Sequence, residues 1–417
     1  MQSGSVLRQI PKGVWILGVV SMLMDISSEM IHSILPLFMV TTLGMSAFAV
    51  GLIEGVAESA ALIVRIFSGA LSDYIGRRKG WTVFGYALGA LSKPFFALTT
   101  LGWVVLAARL ADRVGKGIRG APRDALVADL SPPELRGASF GLRQSLDTLG
   151  AFLGPLIASG LMLLWANDFR AVFWVAVIPA LLAVFLLATA LREPDKRGAA
   201  KRENPIRREN LARMGAAYWW IVAIGAVFSL ARFSEAFLVL KAQLNGIPLS
   251  LVPLVMVAMN LVYTLCAYPF GKLSDRMSHK RLLTSSLVVL LYADLILSVD
   301  GHWSEMLVGV ALWGIHMGMS QGLLASMIAA ATPADLRGTA YGFFNLVSGV
   351  AMLFAGVAVG ALWDRLGAAY AFYAGALFCA SAIVLLHIAR KTLDANFLAN
   401  APPGQTGQSG RQELFRQ

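Results

Sequence analysis

The feature that most constrains this 417-residue chain is a succession of long apolar segments. A helix needs ~20 apolar residues to cross a bilayer core, and spans of that kind recur from residue 14 to residue 389. The composition agrees, because only 14% of the residues are charged, whereas soluble domains carry about 25%. The sequence therefore predicts an all-α integral membrane protein.

Counting these spans predicts twelve transmembrane helices in two homologous six-helix bundles. The predicted helices lie at 14–43, 48–72, 81–100, 102–128, 138–165, 170–191, 216–245, 250–273, 281–299, 305–330, 339–362 and 368–389. A polar, basic segment separates the two sets of six. The predicted domains are an N-terminal bundle (1–191), a cytoplasmic basic linker (192–215), a C-terminal bundle (216–390) and a disordered cytoplasmic tail (391–417).

Two motifs occur once in each set of helices. The stretch GALSDYIGRRK at 69–79 is echoed by GKLSDRMSHKR at 271–281, and SPPELRGASFG at 131–141 returns as TPADLRGTAYG at 332–342. Both pairs are separated by almost the same number of residues, which indicates a duplicated bundle. In transporters, such repeats place the substrate between the halves, and rocking of the halves alternates access.

The basic residues are concentrated in alternate loops, and this distribution predicts the topology. Loops such as 77–79, the central linker and 280–281 are basic, whereas the loops at 41–46 and 244–250 carry no charge. The positive-inside rule then places both termini in the cytoplasm of a multi-pass protein in a bacterial-type inner membrane. The net charge of +11 is thereby explained by topology, and no nucleic-acid partner is expected.

Three motifs resemble those of the major facilitator superfamily. The stretch 69–78 is similar to the loop motif between helices 2 and 3 of that superfamily. The stretch RVGKGIRGA at 113–121 is similar to its Arg-x-x-Gln-Gly motif, with Lys116 where Gln is usual. The spacing from Gly141 through Gly150 to Gly154 resembles the helix 5 signature of proton-coupled drug and organic-molecule antiporters, although its final Gly pair is not kept. The resemblance implies a proton-coupled antiporter, and a monomer is expected.

The loop motif predicts a conformational clasp at the cytoplasmic end. Asp73 is expected to face the positive end of the helix that begins near Gly338, and Arg77 follows Asp73 by one helical turn. The alternative is a basic loop that only sets topology. The predicted clasp residues are Gly69, Asp73, Gly76, Arg77, Arg78 and Asp275.

The glycines and the proline of helix 5 allow two interpretations. Gly150, Gly154 and Pro155 form either a packing groove or a gate that bends, because proline removes a backbone hydrogen bond. Both interpretations stay open at this point.

Ionisable residues inside the predicted spans are candidates for proton coupling and substrate binding, because charge is costly in the membrane. Asp25, Glu29 and His32 are spaced i, i+4 and i+7, and therefore share one face of helix 1. The candidates are Asp25, Glu29, His32, Glu54, Glu58, Arg109, Asp112, Arg113, Lys116, Arg143, Asp147, Arg232 and Glu235.

Two arginines in this set are predicted to pair with carboxylates. Arg113, beside Asp112, is predicted to pair with Asp25 or Glu29, favouring the ionised carboxylate that burial alone would disfavour. The alternative is a permanent structural ion pair. Arg232 and Glu235 are spaced i, i+3, and their predicted pair has either a structural or a functional role.

These features predict a secondary transporter rather than an enzyme. The sequence contains no G-x4-GK[ST] motif for ATP binding, and no cofactor or resident metal is expected. The predicted function is proton-coupled export of a small organic molecule, which includes anions and metal chelates. The alternatives are a proton symporter that imports an organic anion or a siderophore-like chelate, and a divalent-metal transporter using Asp25, Glu29 and His32 as ligands. The expected partners are the substrate, protons and the lipid bilayer.

Overall fold

The computed structural model describes residues 6–75, 78–192, 211, 213–274, 277–333 and 336–399. Within these residues the chain is helical, with short connections and no β-strand. Helices suit this apolar sequence because each satisfies its own backbone hydrogen bonds, which lipid does not do.

Twelve long helical segments, labelled α1 to α12, follow in chain order, and three of them (α1, α7 and α10) are interrupted. Those of the first half are α1 (Lys12–His32, continued by Leu35–Leu37 and a π-helical turn, Phe38–Thr42), α2 (Ala47–Ile75), α3 (Arg78–Leu98), α4 (Gly102–Leu130), α5 (Arg136–Leu164) and α6 (Phe169–Ala190). Those of the second half are α7a (Ala216–Ala231), α7b (Ala236–Leu244), α8 (Pro253–Ser274), α9 (His279–Ser298), α10a (Trp303–Ser320), α10b (Leu323–Ala331), α11 (Arg337–Leu366) and α12 (Ala368–Ile388).

The helices agree with the twelve predicted spans to within a few residues at each end. By length and composition, ten of the described segments are long and apolar enough to cross a membrane. The remaining two, α3 and α4, carry the densest charge, and α4 alone contains Arg109, Asp112, Arg113 and Lys116. Arg109, Asp112 and Arg113 are buried between helices and Lys116 lines a cavity, so α4 can be both charged and membrane-spanning. The prediction of an all-α, twelve-helix membrane fold is confirmed.

Two interruptions in the second half were not predicted. The segment 232–235 separates α7a from α7b, although it contains neither Gly nor Pro. Between α10a and α10b, Gly322 has φ +74°, a left-handed conformation that favours glycine. Non-helical backbone within a membrane is tolerated where protein or a water-filled cavity surrounds it.

The two six-helix halves contact each other mainly through α2 with α11 and α5 with α8. At the end where α1 finishes and α2 begins, called the closed end here, one apolar core includes Phe38 from the first half and Phe237 from the second. Towards the opposite end, called the open end, a separate apolar core lies within the first half and includes Val14, Tyr86 and Leu187.

The prediction of a disordered tail is wrong for its first residues. Residues Arg390–Ala399 form a helix, labelled α13. It is held because Leu393 is fully buried and because the carboxylate of Asp394 lies 2.7 Å from the Lys280 ammonium. The rest of the tail, 400–417, and most of the predicted linker lie outside the described residues.

Candidate functional site

A polar cavity lies between the two halves in the part of the molecule towards the open end. Its volume is about 350 Å³, within the range of small-molecule sites. The side chain of Arg65 at its wall is 54% exposed, so the cavity is connected to solvent. Lining side chains come from α1, α2, α4, α5 and α8: Asp25, Glu29, Glu58, Leu62, Arg65, Lys116, Arg119, Arg123, Gln144, Asp147, Thr148, Asn260 and Tyr263.

Behind this cavity, eight ionisable side chains of the first half form what we call the central network. Four are carboxylates and four are basic, so the network can balance its own charge. Its members are Glu29, His32, Glu54, Glu58, Lys93, Arg109, Asp112 and Arg113. Seven of these were site candidates from the sequence, and Lys93 was not among them.

The tightest pair of the central network joins α2 to α4. Arg109 donates to both carboxylate oxygens of Glu54, from Nε at 3.0 Å and from Nη2 at 2.7 Å. Both residues are almost completely buried. Two parallel charge-assisted hydrogen bonds of this kind fix geometry as well as charge, so the pair holds α2 and α4 in register.

The remaining contacts extend the central network to α1 and α3. The Lys93 ammonium lies 2.7 Å from Asp112 and 3.0 Å from the hydroxyl of Ser28. His32 Nδ1 lies 3.3 Å from a Glu29 oxygen, and His32 Nε2 lies 3.7 Å from Glu54. Glu29 and Glu58 are therefore the carboxylates that belong to the network and also line the cavity.

Nearer the open end lies a second group, called the open-end cluster and made of Arg65, Arg123, Asp124, Arg143 and Asp147. Arg143 donates to Asp147 at 2.7 Å, and Arg123 lies 3.3 Å from Asp124 and 3.7 Å from Asp147. The cluster thus connects α4 to α5. Sequence analysis selected only Arg143 and Asp147 from it.

Three charged residues that line the cavity have no ion pair among the described residues. They are Asp25, Lys116 and Arg119. The guanidinium of Arg119 lies over the ring of Tyr86, 4.7 Å from its centroid, and its Nη1 is buried without a hydrogen-bond partner. Among the described charged residues that line the cavity, one acid and two bases therefore remain without an ion-pair partner.

Arg113 does not have the predicted partner. Its Nε lies 3.0 Å from Glu58, and no ion pair with Asp25 or Glu29 occurs among the described residues. The reason is the packing of α4, which runs along α2 and α3 and has few contacts with α1. An arginine on that face of α4 therefore reaches a carboxylate of α2 first.

The predicted pair of Arg232 and Glu235 is also absent from the described ion pairs. The i, i+3 spacing brings two side chains together only in a continuous helix, and these residues lie in the interruption between α7a and α7b. Arg232 instead lines a small cleft with Glu54 and Glu58. The interruption therefore brings the second half against the central network.

Gly150 and Gly154 of α5 lie against the backbone of α1, next to the carboxylates that line the cavity. A Cβ added to Gly150 would lie 2.6 Å from the carbonyl oxygen of Met22 and 3.0 Å from the Cβ of Asp25. One added to Gly154 would lie 2.7 Å from the Cβ of Glu29. These glycines set the distance between α1 and α5, while a bending role for Pro155 stays a prediction.

Replacement of Gly154 by alanine is expected to lower stability and to move Glu29. The new Cβ would meet α1 backbone that cannot yield, and overpacking of this kind costs about 1–3 kcal/mol. The matched control is Gly160→Ala on the same helix, because nothing lies within 4 Å of a Cβ there. Thermal unfolding of the purified variants measures the difference, and equal stabilities would contradict the packing role.

Much of the predicted cytoplasmic clasp lies outside the described residues. This applies to Gly76, Arg77, Asp275 and the side chain of Asp73. Arg78, which begins α3, forms an ion pair with Asp129 near the end of α4, within the same half. The clasp stays a prediction for a state in which the open end is shut.

A different interdomain clasp is present at the closed end. Asp364, in the last turn of α11, accepts hydrogen bonds from the backbone N–H groups of Ala47 and Phe48, at 3.0 and 2.8 Å. These N–H groups open α2 and have no partner within their own helix. Asp364 was not among the sequence candidates, because nothing in the local sequence WDRLG indicates a distant helix end.

One alternative from the sequence was a divalent-metal site with Asp25, Glu29 and His32 as its ligands. Among the residues that the structure describes, no three carboxylate, imidazole or thiol groups are arranged to hold a metal ion. His32, one of the three ligands considered, lies between Glu29 and Glu54 within the central network.

Two six-helix halves around a charged cavity define the class of this protein as a polytopic membrane transporter. The chain belongs to the Major Facilitator Superfamily, whose family model matches residues 17–245 and 222–415. The predicted family resemblance is thereby confirmed.

Two relatives align with about nine-tenths of the chain. An MFS-type transporter of Methanocaldococcus jannaschii, MJ1317, is 30% identical over 390 residues, covering 91% of this chain and 96% of its own length. The multidrug resistance protein MdtH of Cronobacter sakazakii is 25% identical over 382 residues, covering 90% of both chains.

Solved structures support the fold at low sequence identity. A POT family transporter in complex with 5-aminolevulinic acid has a TM-score of 0.76 at 13% identity, covering 93% of this chain and 97% of its own. A bacterial homologue of the human lysosomal transporter Spinster, in an inward-facing and unoccupied conformation, has a TM-score of 0.68 at 15% identity and covers 96% of this chain and 100% of its own.

Proposed function

We propose that this protein is a secondary transporter that exports a small organic molecule in exchange for protons. The observation that carries the proposal is the cavity carboxylate Asp25, which has no ion pair among the described residues although Lys116, Arg119 and Arg123 also line the cavity. A carboxylate that is half-buried and not committed to a partner can gain and lose a proton as its surroundings change. The multidrug relatives support the same class of activity.

We further propose that the open end faces the cytoplasm of a bacterial inner membrane. The basic loops lie at that end, including Arg136 and Lys280, as the positive-inside rule requires. On this assignment both termini are cytoplasmic, and the conformation is inward-facing. The cavity is formed between the two halves of a single chain, so we propose a monomer as the working unit.

In this mechanism the two clasps hold opposite states. Asp364 and the α2–α11 contact stabilise the inward-facing state, in which substrate enters the cavity from the cytoplasm and displaces the proton of Asp25. The predicted Asp73 clasp stabilises the outward-facing state. Glu29 links Asp25 to the central network. A change in the charge of Asp25 therefore changes the electrostatic potential at the interface with α7.

Replacement of the two cavity carboxylates is expected to uncouple transport from the proton gradient. The Asp25→Asn, Glu29→Gln variant lacks the two carboxylates proposed to carry the exchanged proton, while Glu58 and Asp147 keep their arginine partners. Everted vesicles energised by respiration, with acid interiors, would be given ethidium, benzoate or norfloxacin, and proton efflux would be followed with a pH-sensitive dye. Compound-dependent proton efflux is expected from the native protein and not from the variant.

The control for this experiment is Asp394→Asn, which removes a carboxylate of α13 far from the cavity. That variant should retain the native response. Undiminished proton efflux in the Asp25→Asn, Glu29→Gln variant would rule out these two carboxylates as the coupling site. Compound-dependent proton uptake rather than efflux would reverse the proposed direction of coupling.

The second candidate function is proton symport, importing an organic anion or a siderophore-like chelate. It is favoured by Lys116 and Arg119, two cavity cations without ion pairs among the described residues. In the vesicle experiment a symporter would move protons in the same direction as its substrate, so the sign of the signal separates the two functions.

A further inference from the structure

The cavity is lined by acidic and basic side chains that have no ion pair among the described residues, and these restrict the charge of the substrate that fits it. The carboxylates Glu58 and Asp147 are matched by arginines at 3.0 and 2.7 Å. Subtracting such pairs leaves one acid, Asp25, and two bases, Lys116 and Arg119. A substrate with a single charge would satisfy only one side of this arrangement.

The two bases lie one turn apart on α4. Residues spaced i, i+3 project from the same face of a helix, and both of these side chains line the cavity. Lys116 is exposed to it, whereas Arg119 is 4% exposed and has a buried Nη1 without a hydrogen-bond partner. Arg119 and Lys116 both line the cavity without an ion pair among the described residues, so the two bases can receive an anionic group together.

Lys116 also departs from the family pattern in a way that adds charge. It occupies the position where the Arg-x-x-Gln-Gly motif usually has Gln. An amide at this position would leave the cavity with one free base, whereas the ammonium provides a second one beside Arg119.

Asp25 lies on α1, facing these bases. The charged groups that act on it are Asp147 of α5 and the α4 residues Lys116, Arg119 and Arg123. Glu29 of α1, Glu58 and Arg65 of α2, and Tyr263 of α8 complete the titratable groups lining the cavity. Most of the carboxylates and arginines in this set have partners already, so Asp25 is the acid available to a cationic group.

We infer that the transported molecule is amphoteric, with an anionic group bound by Lys116 and Arg119 and a cationic group bound by Asp25. This inference rests on the proposed function, because it assigns the substrate of the same cavity. Asn260 and Tyr263 from α8 contribute an amide and a phenol to the opposite wall. They give the neutral body of the molecule contacts with the second half.

An amphoteric substrate also fits proton exchange, whereas a simple anion does not. A cationic group at Asp25 favours the ionised carboxylate, so its binding expels a proton. An anionic group beside Asp25 favours the protonated carboxyl, so an anion alone would bind together with a proton. Exchange therefore requires the cationic group, and the anionic group provides the anchor on α4.

The test uses three probes that share one aromatic ring and differ only in charge. They are 4-(trimethylammonio)benzoate, which is amphoteric, benzoate, which is anionic, and phenyltrimethylammonium, which is cationic. Isothermal titration calorimetry on the purified protein measures their affinities without any membrane gradient. The amphoteric probe is expected to bind at least about tenfold more tightly than either of the others, because its carboxylate accepts charge-assisted hydrogen bonds that phenyltrimethylammonium lacks and its ammonium is attracted to Asp25, which benzoate is not.

Titration in two buffers of different ionisation enthalpy measures the protons exchanged on binding. Binding of 4-(trimethylammonio)benzoate is expected to release protons, and Asp25→Asn should remove this release. Lys116→Gln, which restores the usual residue of the motif, should weaken the amphoteric probe roughly 10- to 100-fold while changing the affinity for phenyltrimethylammonium far less. The control Lys391→Gln, on α13, should change neither affinity.

Equal or tighter binding of benzoate or of phenyltrimethylammonium would overturn the inference, as would failure of all three probes to bind at millimolar concentration. Proton uptake with the amphoteric probe would also overturn it. These outcomes are separate from the proposed function, because vesicle transport can fail while the order of affinities holds, and gradient-driven transport can persist when the order is wrong.

Discussion

Replacing Arg109 by alanine is expected to be among the most destabilising single changes in this protein. The variant would leave the Glu54 carboxylate buried, with His32 as its nearest basic group at 3.7 Å. Removing one partner of a buried ion pair costs about 3–5 kcal/mol. Thermal unfolding of the detergent-purified variant should show a large fall in melting temperature.

The matched control is Arg65→Ala, in the same bundle. Arg65 is 54% exposed and lies 3.6 Å from Asp124, and exposed ion pairs contribute about 0–1 kcal/mol. The double variant Glu54→Leu, Arg109→Met should recover much of the stability, because apolar side chains of similar size can replace a buried pair. If Arg109→Ala and Arg65→Ala unfold at the same temperature, the pair does not hold α2 and α4 together.

The sequence predicted the limits of the helices because the membrane sets the length of a span, and their number followed from counting the apolar spans. Helix length follows from bilayer thickness, and the bundle duplication was visible in two loop motifs. The interruption at 232–235 was not predictable, because RFSE contains no helix-breaking residue. It forms where α7 meets the charged residues of α2, including Glu54 and Glu58, and that neighbourhood depends on long-range packing.

The sequence identified the ionisable residues of the candidate site better than it identified their ion-pair partners. The i, i+4, i+7 spacing correctly put Asp25, Glu29 and His32 on one helix face, since a regular helix fixes that geometry. The partner of Arg113 depends on how α4 is rotated against its neighbours, which spacing along one helix cannot define. Asp364 was missed for a related reason, because its partners are 317 and 316 residues away in the chain.

The same packing argument identifies the contact that should decide which state the protein adopts. At the closed end Gly51 and Gly356 bring α2 and α11 together so closely that a Cβ on either glycine would overlap the other's carbonyl oxygen. Small residues permit this approach between membrane helices. Asp364 of α11 joins the same two helices through its hydrogen bond with the start of α2, one to two helical turns away from these glycines. No side chain larger than hydrogen fits between them in this conformation.

Gly356→Val is therefore expected to open the closed end and shift most molecules to the opposite conformation. The valine methyl groups would meet backbone, which cannot move aside unless α2 and α11 separate. Spin labels at Thr42 and Leu244 report on the closed end, and labels at Glu134 and Arg337 report on the open end. With both native cysteines replaced by serine, electron–electron distances should lengthen for the first pair and shorten for the second.

Gly160→Val, on α5, is the control, because nothing lies within 4 Å of a Cβ at Gly160, and it should leave both distances unchanged. Asp364→Asn should produce a smaller shift in the direction of Gly356→Val, since it removes only the charge at a helix N-terminus, worth about 0.3–1 kcal/mol when exposed. A free-energy difference of that size changes the ratio of two equally populated states by roughly two- to fivefold. Unchanged distances in Gly356→Val would mean that the α2–α11 contact does not control the exchange between states, and that the seal at this end depends on α1 and α7b instead.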